Sequence, residues 1–111
     1  MTPLTVLTNL PDLESARKLA KVLVEKGLVA CVNIMSPVQS IYRWKGAIEE
    51  AAEVPLFLKT TQDRYAEVEK TIGELHPYEI PEIIALPIID GLPAYLSWVK
   101  EETTLIDASV S

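Results

Sequence analysis

Val38-Gln39-Ser40-Ile41-Tyr42-Arg43-Trp44-Lys45-Gly46-Ala47-Ile48-Glu49-Glu50-Ala51-Ala52-Glu53-Val54-Pro55-Leu56-Phe57-Leu58-Lys59-Thr60 reads as one long β-hairpin. Val38 to Trp44 is extended, Lys45-Gly46 is the turn, and Ile48 to Thr60 returns as a second strand. Val54, Leu56 and Leu58 share one face, because strand side chains alternate. Pro55 has no amide hydrogen, so its nitrogen must face an edge or a bulge. A strand of about 15 residues spans roughly 50 Å, whereas a compact domain of this length has a radius of gyration of about 13 Å. Either the strands bend sharply at Ser36-Pro37 and Pro55, or the tip projects beyond its own core. A projecting tip carrying Ile41, Tyr42 and Trp44 leaves apolar surface and open edges for a neighbouring subunit to cover. The hairpin predicts an oligomer.

Toward the N-terminus, Leu28 to Met35 is almost continuously apolar and is expected to be a strand covered on both faces. Gly27 stops a helix over about 12–26, in which Asp12 is the N-cap, Glu14 faces the positive end of the dipole, and Leu13, Ala16, Leu19, Ala20 and Leu23 form the buried stripe. Thr5 to Asn9 precedes it as a β-branched strand. Toward the C-terminus, Thr61 is expected to cap a second helix whose face is Tyr65, Val68, Ile72 and Leu75. Pro77 ends that helix and forces His76 out of the α region. Glu82 to Ile89 is the last strand. After Asp90-Gly91, Pro93 opens a short helix expected to bury Leu92, Tyr95, Leu96 and Val99.

Divided near Gly46, the chain is two strand-helix-strand halves. That is the α+β, ferredoxin-like β-α-β-β-α-β sandwich, here with a C-terminal helix. At 111 residues and 12.3 kDa it is a single domain, 1–111, with 103–111 expected to fray. Helices on one sheet face leave the other uncovered, a second reason to expect self-association.

The formal charge of −6 argues against a nucleic-acid partner. No apolar run is long enough for a membrane span, and the N-terminus lacks a secretory pattern. Cys31 is the only cysteine, which excludes an intrachain disulfide and suggests a reducing compartment; a cytoplasmic protein is expected.

Candidate chemistry gathers in Glu74-Leu75-His76-Pro77-Tyr78-Glu79-Ile80-Pro81-Glu82-Ile83-Ile84, which holds the only histidine. His76 can ligate a metal with Glu79 or Glu82 as oxygen partners, or cap the helix C-terminus and hold the proline turn in shape. Cys31 is a small packing residue or a soft-metal ligand. Glu49, Glu50 and Glu53 form a solvated or intersubunit charge cluster, although Glu50 points away from the other two. Tyr42, Trp44 and Trp98 stack on a ligand or pack an interface. The four glycines are dispersed, so there is no phosphate loop, and no catalytic set emerges.

Five blocks in order resemble the CutA divalent-cation tolerance family: Ala30–Ile34, Ser40–Glu49, Leu58–Thr61, His76–Pro87 and Tyr95–Val99. The resemblance runs from about Val6 to Val99. It implies a PII-like ferredoxin fold assembled as a homotrimer, and a cytoplasmic, non-enzymatic role in tolerance of copper and other divalent metals. No obligatory cofactor is implied, only a copper ion or another divalent cation. The family's copper-site proposal uses a cysteine where this chain has Thr8, and two histidines where it has Leu75 and His76. Cys31 matches the family's strand-two cysteine, so His76 and Cys31 are the metal candidates. Tyr42, Trp44, Lys59, Tyr78 and Glu82 match positions around the cleft between subunits, and Glu79 is grouped with them. Two other readings stand beside metal response: a PII-like sensor of a small metabolite, and a purely structural assembly partner.

Overall fold

The structure, a computed structural model, describes residues 2–104. The first strand, β1 (Pro3–Leu10), alternates so strictly that Leu4, Val6, Thr8 and Leu10 are all buried on one face. Helix α1 (Leu13–Glu25) follows. Its N-cap Asp12 accepts the Ser15 amide hydrogen at 2.7 Å, and that bond holds the Asp12 carboxyl below its ordinary value. Gly27, at φ +67°, closes the helix in a Schellman turn: the amides of Gly27 and Leu28 donate to the carbonyls of Val24 and Leu23. Ala16, Leu19, Ala20 and Leu23 are buried, as their spacing requires, but Leu13, expected in the same stripe, is 54% exposed in the first turn, where no neighbour covers it.

The long hairpin is present, with β3 (Val38–Trp44) and β4 (Ala47–Thr61) joined by Lys45-Gly46. Both turn residues have positive φ, 48° and 83°, which matches the right-handed twist of the flanking strands. The expected apolar strand is shorter: β2 covers only Cys31–Ile34, while Leu28, Val29 and Ala30 are buried in the turn leaving α1. Ile34 and Met35 are exposed, so the strand is not covered on both faces. Here an apolar run reflects a buried turn followed by an open sheet edge, two environments that composition alone does not separate.

Pro55 stands opposite Asn9 on one side. On the other, its carbonyl accepts from the Met35 amide, at the break between β2 and β3. A residue's nitrogen and carbonyl point to the same side of a strand, so Pro55 turns its missing donor toward that break, as required.

A 3₁₀ turn (Gln62–Arg64) leads into α2 (Tyr65–Leu75). Thr61 makes no side-chain cap; it is the extended last residue of β4, with its hydroxyl buried and without a partner, and the Gln62 amide is satisfied by the Thr2 carbonyl instead. The buried stripe of α2 is Val68, Thr71 and Ile72, and it stops before Leu75, which is 52% exposed. Periodicity gives a side chain's direction but not whether a neighbour extends that far. The same holds for α3 (Pro93–Thr103), where Val99 and Thr103 are buried but Leu92 and Tyr95 are exposed. Thr103, expected to begin a frayed tail, is the buried end of this helix; residues 105–111 of that expectation lie outside the described residues.

With β5 (Ile83–Pro87) the sheet is antiparallel in the order β2-β4-β1-β5, and β3 extends the β2 side along the distal part of β4. This is the ferredoxin-like arrangement. The core lies between the α1 and α2 helices and the face bearing Val6, Leu10, Val54, Leu56 and Leu58. The opposite face carries Leu7, Phe57, Ile84 and Leu86 in register, the last two exposed, with α3 against one end. The hairpin tip does project. The molecule measures 50 × 31 × 23 Å with a radius of gyration of 15.0 Å, above the roughly 13 Å of a compact chain this long.

Candidate functional site

The polar stretch after α2 meets the base of the hairpin. His76 leaves the helix at ψ 135°, as the following proline demands. Its ring is buried, only 7% exposed. The Tyr78 amide donates to Nδ1 at 3.1 Å, which makes that nitrogen an acceptor and leaves Nε2 as the N–H. Nε2 then donates to the Asn9 carbonyl at 2.6 Å. The imidazole therefore ties the end of β1 to the exit of α2, and the Tyr78 ring stacks at a tilt 4.7 Å away.

Beyond this tie opens a cleft of about 700 Å³. Register places Tyr42, Trp44 and Glu53 on one face of the hairpin, which forms one wall. Pro77, Tyr78, Glu79, Ile80 and Glu82 form the other. Asn9 sits between them and donates through its side-chain amide to a Glu82 carboxylate oxygen at 3.3 Å. Glu53 is 8% exposed, the most enclosed of the cleft carboxylates. Burial, followed by the hydrogen bond and charge of Glu53, pushes the Tyr78 phenol up to about 12. At the mouth, Lys45 Nζ lies 3.9 Å from a Glu79 carboxylate oxygen and 5.5 Å from the centre of the Trp44 ring.

Five of the residues expected at a cleft thus come together: Tyr42, Trp44, Tyr78, Glu79 and Glu82. Lys59 does not join them within the chain. It stands on the open sheet face, hydrogen-bonded to the Asn33 side chain and opposite Cys31 in register. Cys31 is four residues along β4 from the Pro55–Asn9 row, roughly 13 Å. Its Sγ lies 3.4 Å from the Tyr95 hydroxyl, and that contact, with burial, pushes the Tyr95 phenol up to about 12. His76 and Cys31 therefore occupy separate places. Glu53 was grouped by sequence with Glu49 and Glu50; it shares a strand face with Glu49, so alternation does not separate the two, and only the packing of the stretch after α2 against the hairpin base buries Glu53.

The three-ligand copper set implied by the resemblance does not fit these residues. Thr8 offers a buried hydroxyl, Leu75 has no donor atom, and His76 has both ring nitrogens engaged in the chain's own bonds. Among the described residues, no three His, Cys, Asp or Glu side chains converge as a metal-binding group.

Fold and cleft define a small α+β protein of ferredoxin-like topology with a projecting hairpin. Residues 4–102 match the family of the CutA1 divalent ion tolerance protein. The divalent-cation tolerance protein CutA of Thermus thermophilus is 47% identical over 98 residues, covering 88% of this chain and 95% of that one. A solved structure of a divalent cation tolerance protein from the same organism superposes with a TM-score of 0.89 at 46% identity, covering 91% of this chain and 98% of the other. The structure described as the periplasmic divalent cation tolerance protein CutA from Archaeoglobus fulgidus gives 0.88 at 40% identity, covering 91% and 98%. This chain belongs to the CutA divalent-cation tolerance family.

Proposed function

We propose that this protein works in the cellular response to divalent metal ions, copper among them, as a non-enzymatic homotrimer in the cytoplasm. The observation that carries the reading is the family match across residues 4–102. The uncovered sheet face and the projecting tip, where Ile41 is 68% and Ile48 70% exposed, support self-association. Light scattering tests it: three times the 12.3 kDa chain mass is expected, and a single-chain mass at micromolar concentration overturns the trimer.

In this reading metal binding is weak, and His76 acts by holding the cleft in shape. Cys31 is then the remaining metal candidate, on the sheet face beside Tyr95. Copper and zinc titrated into the wild type, His76→Ala and Cys31→Ser separate the two. A heat that survives His76→Ala and is lost in Cys31→Ser is expected. A heat abolished by His76→Ala in a protein that still folds returns ligation to the imidazole. The single cysteine supports a reducing compartment, whereas the Archaeoglobus relative is described as periplasmic; fractionation of the source cells distinguishes them.

A second reading, a sensor of a small metabolite, is favoured by the cleft itself, whose volume and mixed lining are those of a small-molecule site.

A further inference from the structure

We propose that the cleft beneath the hairpin binds a small organic ammonium ion with an apolar body. This deepens the small-molecule reading of the cleft and is independent of the metal-response reading.

Three aromatic side chains, Tyr42, Trp44 and Tyr78, and three carboxylates, Glu53, Glu79 and Glu82, border the same space. No lysine or arginine lines it. Within the chain an anionic ligand meets three carboxylates there and a single ammonium group, that of Lys45, at the mouth, whereas a cation meets carboxylates and the negative faces of aromatic rings. Burial of a carboxylate is costly unless it is paired. Glu53 is buried at the cleft wall, and among the described residues no cation lies within ion-pair distance of it. The Tyr78 phenol beside it on the cleft wall is a neutral group and supplies no counter-charge. A cationic ligand supplies the missing partner.

The chain also demonstrates the chemistry at its own rim. Lys45 places an ammonium group between the Trp44 ring and the Glu79 carboxylate, both contacts lying at the mouth of the cleft. Its side chain is largely exposed, so this group is displaceable. The size of the cation follows from the spacing of the acids. They surround about 700 Å³ rather than converging on a point, and Ile41, Ile80 and Pro77 supply apolar wall between them. A charge attached to a hydrocarbon body uses both parts of that lining; a bare ion uses only one.

Calorimetry on the full-length protein at constant ionic strength tests this with three probes: n-butylammonium, its uncharged counterpart n-butanol, and sodium as charge without a body. Binding of n-butylammonium alone is expected. Glu53→Gln should weaken it about tenfold or more. Trp44→Ala should weaken it roughly 3- to 30-fold. Lys45→Ala should strengthen it by removing the competing ammonium group. Glu74→Gln, the same charge change at an exposed position on α2, should leave it unchanged. Thermal unfolding checks that each variant folds; should Glu53→Gln fail to fold, the exposed Glu82→Gln is read in its place, with a severalfold loss expected. Equal affinity for n-butanol, no heat with n-butylammonium, or affinity untouched by the carboxylate variants overturns the proposal. A neutral or anionic metabolite that binds with Trp44 dependence, while n-butylammonium does not, overturns the ammonium assignment and leaves the small-molecule reading standing.

Discussion

The two halves of β4 belong to one continuous strand and live in different solvents. From Val54 to Thr61 it is central, paired with β1 along its whole length and with β2 over Leu56–Lys59 on the other side, and Val54, Leu56, Leu58 and Thr60 are buried on one face. From Ala47 to Glu53 it is paired only with β3, and every side chain but that of Glu53 meets water. Composition changes with the environment, from Val-Pro-Leu-Phe-Leu to Ile-Glu-Glu-Ala-Ala. The proximal half is stabilised within the chain by burial of apolar area. An isolated two-stranded ribbon is marginal in water, so the distal half depends on its turn, on the tie at its base, and on whatever covers it. The cleft lies where the two regimes meet.

The contrast can be broken at several points. Leu56→Ala removes a fully buried side chain from the proximal half and should cost about 2–5 kcal/mol in denaturant unfolding. A cost no larger than that of a surface change would contradict the division. His76→Ala strips the partners from the Asn9 carbonyl and the Tyr78 amide at the boundary. About 2–4 kcal/mol is expected, since each buried group left unsatisfied costs about 1–3 kcal/mol. Gly46→Val forces a β-branched residue into φ 83° at the tip and should cost about 1–2 kcal/mol; an unchanged midpoint would mean the turn contributes nothing.

Alkali probes the boundary more gently. The Tyr78 phenol is raised to about 12 in the folded chain against the ordinary 10.0. Between those values the folded state holds a proton that the unfolded state has released. Its contribution to stability is thus complete below pH 10 and is lost as pH rises toward 12. Stability should fall across that window, less steeply in Tyr78→Phe, as followed by pH-dependent chemical denaturation. Smallest is Ile48→Ala at the exposed tip. Unfolding of the isolated chain should change by less than about 0.5 kcal/mol, and the effect should appear instead in the assembly mass by light scattering.

Much of this boundary was legible in the residues. Pro77 placed His76 at a helix exit, and the excess length of the hairpin required either a sharp bend or a projecting tip, of which the structure takes the second. What the imidazole does was not legible. Its bonds reach Asn9, which is 67 positions away, and only the fold brings that carbonyl to Nε2. The burial of Leu13, Leu75, Leu92 and Tyr95 was misjudged for a related reason: a helical stripe is a local property, whereas the neighbour that covers it is not.

By itself, then, the sequence determined the order of elements, the side chains of α1 from Ala16 to Leu23 that enter the core, the Gly27 and Lys45-Gly46 turns, and the family. Each is decided by short-range sterics, capping or alternation. The tertiary structure alone decided that Glu53 leaves its acidic neighbours for a buried wall, that Lys59 and Cys31 stand apart from His76, and that both imidazole nitrogens are spent inside the chain. Those outcomes depend on which residues from distant segments share a face and a register, and local pattern carries no record of that pairing.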